Sequence, residues 1–116
     1  MILLRALIAL FLLTALPAAA AQNYVTGVED IPLAPGLTAV DGGTAFDSTQ
    51  GRIVVAFAKG QVTEAAILAY YAVTLPQLGW KRSEASAFKR EGETLRLDFG
   101  SNAQALTVRF TIAPAP

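Results

Sequence analysis

Two stretches near the C-terminus alternate apolar and polar residues almost without a break. In "ETLRLDF", 93 to 99, Leu95, Leu97 and Phe99 alternate with Thr94, Arg96 and Asp98. In "ALTVRFTI", 105 to 112, Leu106, Val108, Phe110 and Ile112 alternate with Thr107, Arg109 and Thr111. A period of two sends successive side chains to opposite faces, so both stretches predict strands of an antiparallel sheet with one face covered and one open to solvent. "EGE" and "GSNAQ" supply hairpin turns around them. "RIVVAFAK", 52 to 59, also alternates, Ile53, Val55 and Phe57 against Val54, Ala56 and Ala58. It predicts a strand whose second face is likewise poor in polar groups. "TAFD", 44 to 47, reads as a short strand joined to it by "DSTQG". The pattern of "WKRSEASAFKR", 80 to 90, fits one bent strand or two short ones.

The period changes to that of a helix between 64 and 78. Ile67, Leu68, Tyr71, Leu75 and Leu78 fall on one stripe at 100° per residue, with Ala65, Ala69, Val73 and Pro76 on the other side and Tyr70 on the flank. Thr63 can cap the start, Val62 and Ile67 can form a hydrophobic staple, and Glu64 suits the positive end of the helix dipole. Gly79 stands where a left-handed residue closes a helix, which puts Trp80 back onto Leu75. The aromatic stretch "YYAVTLPQLGW" therefore reads first as a helix stopping.

Between 22 and 43, Pro32, Pro35 and four glycines break every period. This segment is expected to be an extended N-terminal arm held to the body by Ile31, Leu33 and Leu37. Residues 44–112 form a single domain and 113–116 a flexible tail. Strands, then one helix, then a meander define an α+β fold: an antiparallel sheet of four or five strands with one helix packed on one face.

The opening "MILLRALIALFLLTALPAAAAQ" has the layout of a secretory signal peptide: a basic residue, an apolar run from Ala6 to Leu16, Pro17, and small residues at Ala19 and Ala21 for cleavage after Ala21. The apolar run falls short of the ~20 residues that span a bilayer. Residues 1–21 are thus read as a signal, and the product as periplasmic or secreted with no transmembrane segment after cleavage. Their removal takes Arg5 alone from the nine basic side chains, against nine acidic ones, so the remainder is nearly neutral. Such a chain has no field to draw it onto nucleic acid.

"VEDIPLAPGL", "FDSTQGRI", "TLPQLGW" and "FKREGETLRL" resemble, in that order, a group of small exported proteins of Gram-negative, alphaproteobacterial type. The resemblance covers nearly the whole chain after the signal. It implies a common fold and an envelope location, and carries no activity and no functional residues.

Candidate chemistry is sparse. The sequence contains no histidine and no cysteine, which excludes Ser-His and Cys-His catalysis and thiolate or imidazole metal sites. Asp41 and Asp47 lack the dense spacing of a calcium loop. Asp47, Glu84, Glu93 and Asp98 are the carboxylates that a hydrolase could pair, and they read as solvated charges. Lys81, Arg82, Lys89 and Arg90 form a basic cluster that protects a strand edge or meets an anionic surface. No cofactor and no enzymatic activity are expected. The leading expectation is a non-catalytic, monomeric envelope module that binds a protein or an anionic surface, with Arg96, Arg109, Thr94 and Thr107 on its open face. The alternative is a carrier holding a small apolar or amphipathic ligand between helix and sheet near Tyr70, Tyr71, Trp80 and Phe88.

Overall fold

The final strand of the chain lies in the middle of the sheet. A computed structural model describes residues 23–116; the expected signal peptide, 1–21, lies outside the described residues. The elements run β1 (Tyr24–Val25), β2 (Val28–Pro32), β3 (Thr38–Ser48), β4 (Gly51–Gly60), α1 (Glu64–Gln77), β5 (Lys81–Glu84), β6 (Ala87–Arg90), β7 (Glu93–Ser101) and β8 (Leu106–Pro114). The last six strands form one antiparallel sheet in the order β3-β4-β8-β7-β6-β5, and β1 and β2 form a separate two-stranded sheet. The fold is α+β, as the pattern predicts, but the main sheet has six strands rather than four or five. The extra count comes from 80–90, which folds back on itself at Ala85–Ser86 and pairs Lys81 with Lys89 and Glu84 with Ala87.

The two clean alternations form strands as expected, β7 and β8, with Leu95, Leu97, Val108, Phe110 and Ile112 buried. In β4 two apolar faces competed, and Val54, Ala56 and Ala58 won the core while Ile53, Val55 and Phe57 are half-buried on the far side. Their smaller volume leaves room for the layer packed above them. Between β6 and β7, Glu91 and Gly92 both adopt positive φ, 48° and 82°, the two-residue geometry that matches the twist of a hairpin.

The helix is held as its sequence dictates. Thr63 Oγ1 accepts from the Ala66 N–H at 3.1 Å. At the other end Gly79, at φ 91°, donates to Pro76 O, and the Trp80 N–H reaches back to Leu75 O at 3.0 Å. This paired closure satisfies two carbonyls that the helix leaves orphaned. Ile67, Tyr71 and Leu75 are buried, and Pro76 is exposed.

The N-terminal arm contributes more structure than its broken pattern suggests. Residues 24–32 form the β1–β2 hairpin, and β3 begins at Thr38, six residues before the expected strand. Val28, Ile31, Leu33 and Leu37 are buried, each contributing about 1.5–3 kcal/mol through burial. The arm and the helix share the covered face. The Tyr71 hydroxyl donates to Pro32 O at 2.8 Å and accepts from the Ala34 N–H at 3.0 Å. Tyr71 also meets Phe110 of β8 edge-on, with ring centroids 5.7 Å apart. At the opposite terminus β8 continues through Pro114, and the Ala115 N–H donates to Gly92 O at 2.7 Å, so most of the expected tail is tied down.

Candidate functional site: the open face and the two edges of the sheet

The face of the sheet opposite the helix carries no covering element among the described residues. Antiparallel register puts directly opposed residues on the same face. Phe46 on β3 stands opposite Ile53, and Val55 opposite Thr44 and Thr111. Phe57 stands opposite Val40 and Arg109, and Arg109 in turn opposite Asp98. The open face therefore divides in two. Its β3–β4 half is apolar, with Phe46 52% exposed, and its β8–β7 half is charged.

The four residues expected to form a binding surface do share this face, but the two arginines have partners. Arg109 Nη2 bonds Asp98 Oδ2 at 3.2 Å, and Arg96 Nη1 approaches Glu84 Oε2 at 3.7 Å. Thr107 is half-buried opposite Lys59 and Gly100. Thr94 lies opposite Lys89, and its Oγ1 is buried without a hydrogen-bond partner. An external anion would have to displace carboxylates already in place.

The residues expected to hold a ligand under the helix belong to the core. Tyr71, Trp80 and Phe88 are at most 1% exposed, and Tyr70 is partly buried against Tyr71, edge-on at 5.0 Å. Burial pushes the Tyr71 phenol up, well above its ordinary range, against the opposing pull of the Ala34 N–H. Arg90 fixes Trp80 from outside. Its guanidinium lies 4.3 Å from the indole ring, and Nη1 donates to Asp30 Oδ2 and to Leu78 O, both at 2.9 Å. The helix has no basic residue in its last turn, and Arg90 supplies that charge from β6.

The basic cluster separates into two kinds. Arg90 and Arg82 are occupied, Arg82 by donating to Glu84 O at 3.3 Å and Ala85 O at 2.8 Å. Lys81 and Lys89 stand directly opposite each other without an ion-pair partner among the described residues, on an open groove of about 750 Å³ that also contains Glu91 and Glu93. Among the carboxylates weighed for hydrolysis, Glu93 is held in a two-pronged pair with Arg52, at 2.8 and 3.0 Å. That hydrogen bond raises the Arg52 guanidinium further above its already high range. Among the described residues no three Asp or Glu side chains converge as metal ligands would, and no helix is long and apolar enough to cross a membrane.

Two features emerge only from the strand order. β5 and β3 are the edges of the sheet, and they are finished differently. β5 has four residues, two of them cationic, a register shift between Arg82 and Glu84, and carbonyls nearby that Arg82 occupies. β3 has eleven residues, no Lys, Arg or Pro, and two acids, Asp41 and Asp47, with a bulge at Asp41–Gly43 and an unbroken ladder from Thr44 to Ser48. The apolar half-face was visible in the sequence as the second apolar face of "RIVVAFAK". The free edge was not, because edge position is a property of the whole topology.

Comparison with family models, with curated proteins and with solved structures finds no match to this chain.

Proposed function

We propose that this chain is a non-catalytic binding module of the cell envelope that takes an extended segment of an envelope protein onto the β3 edge. The observation that carries the reading is the contrast between the edges. A strand edge presents unpaired N–H and C=O groups that invite another strand, and proteins usually block it with lysine, short length or a bulge. β5 has all three devices, whereas β3 keeps the five-residue ladder Thr44–Ser48 without a cation on it. Strand addition gives affinity through main-chain hydrogen bonds, and the side chains of the edge select the partner. Asp41 and Asp47 favour a segment carrying lysine or arginine. The envelope location rests on the signal-like opening of the sequence and on the resemblance to small exported proteins. The carrier reading has less behind it, since Tyr71, Trp80 and Phe88 are packed within the core.

Photo-cross-linking tests this reading. A photoreactive side chain at Thr44 should form adducts with an envelope protein, and one at Ser83 on β5 should not. Converting Asp41 and Asp47 to lysine should abolish the Thr44 adducts while leaving the melting temperature nearly unchanged. Adducts that persist in the lysine variant, or that form equally at Ser83, would remove β3 as the binding edge.

A further inference from the structure

We infer that the open face of the sheet is a contact between two copies of this chain. The inference is independent of the edge reading, because two sheets stacked face to face leave β3 free. A stripe of five apolar side chains, Val40, Phe46, Ile53, Val55 and Phe57, lies side by side across β3 and β4 on a face that no element among the described residues covers. Scattered apolar residues on a surface need no explanation, but a contiguous set on one face marks a contact.

Size and composition favour a second copy as the occupant. Four strands of nine to eleven residues and two of four, about 4.8 Å apart and rising about 3.4 Å per residue, make a face of roughly 770 Å². That is close to the ~800 Å² that each partner contributes to a standard interface. The apolar half and the charged half also match the mixture of such interfaces, an apolar centre with a polar remainder. A two-fold axis running across the strands lays β4 over β4 and β7 over β7, so apolar meets apolar. Sheets stacked with strands nearly aligned in this way sit about 10 Å apart. Beside the stripe the charges do not oppose the approach of a second copy, since Arg96 and Arg109 stand among Glu84 and Asp98, and Lys81 and Lys89 lie at the far end of the sheet on β5 and β6.

A strand-to-strand dimer through β3 is the less favourable arrangement, because it leaves the apolar stripe in water and doubles its length. A lipid surface is also a poorer match: acids as well as cations stand on the same face, Asp98 beside Arg109 and Glu84 near Arg96, and its centre is a flat sheet rather than a protruding loop.

Sedimentation velocity on the chain from residue 22 onward, across a wide concentration range, decides the matter. The expected result is a reversible monomer–dimer equilibrium. Phe46→Ser and Phe57→Lys should each weaken it about tenfold or more, as truncating or charging an aromatic at an interface centre does. Phe46 is half exposed, so Phe46→Ser should keep the wild-type circular dichroism and melting curve of the monomer. The Asp41→Lys/Asp47→Lys variant should dimerise normally. A wild type that stays monomeric at every concentration overturns the inference. So does a dimer abolished by the β3 lysines and untouched by Phe46→Ser and Phe57→Lys, which would indicate edge pairing. Binding of the monomer to phosphatidylglycerol vesicles, lost in Phe57→Lys, would overturn it in favour of a membrane contact.

Discussion

Trp80 and Tyr71 show how single side chains bind this small domain together. Trp80 closes the helix from behind, is 1% exposed, and carries Arg90 on its outer face. Trp80→Ala should destabilise the fold by about 3–5 kcal/mol, through lost burial and the cavity left behind. Urea denaturation measures this, and a variant as stable as wild type would mean that the indole is not packed as described. Tyr71 joins the helix to the arm through its hydroxyl. Its buried phenol keeps its proton at a pH where the unfolded chain, with an ordinary tyrosine near pH ~10, releases it. The folded state therefore binds more protons above that pH, and the stability this group contributes is complete below about pH 10 and lost as pH rises further. Tyr71→Phe should flatten that alkaline decline. It should also lower stability at neutral pH by about 1–3 kcal/mol, because the Pro32 carbonyl and the Ala34 N–H lose their partner. Unfolding curves at neutral and alkaline pH separate the two effects.

Elements differ in how much of themselves they write into the sequence. The helix was legible to within a residue, from Thr63 to Gly79, because caps, staple and stop signal all act within one turn of their targets. β7 and β8 were legible because a half-covered strand must alternate. The arm was not, since its hairpin is held by contacts far along the chain: Tyr71 on Pro32 and Ala34, and Arg90 on Asp30. The pattern of 80–90 does not separate β5 from β6, because "EASA" turns without glycine or proline. The candidate site was half legible: Asp98 as partner of Arg109 follows from alternation, but Glu84 as partner of Arg96 requires knowing that β5, β6 and β7 are neighbours. The helix also keeps one local cost in plain view. Pro76 deprives the Ala72 carbonyl of its donor on an exposed side where the ring packs nothing in the core. Pro76→Ala should restore that hydrogen bond and stabilise the domain by about 1–3 kcal/mol. A fall in melting temperature would show instead that the ring fixes the geometry of the closing turn.

At the scale of the molecule, the sheet among the described residues has one face committed to the core and one uncovered, one edge short and cationic and one long and without a cation. The interface and edge experiments above probe these surfaces separately, since a variant of either can leave the other intact. The position of β8 has a consequence of a different kind. β3 and β4 are made early and β5, β6 and β7 later, yet the two groups are neighbours in the sheet only through β8, the last of the described elements. Until it arrives, neither half has a completed core: Val108, Phe110 and Ile112 are missing from beneath the helix and the arm. Contacts so distant along the chain close slowly. A polypeptide built in this order completes its core only once β8 has been made.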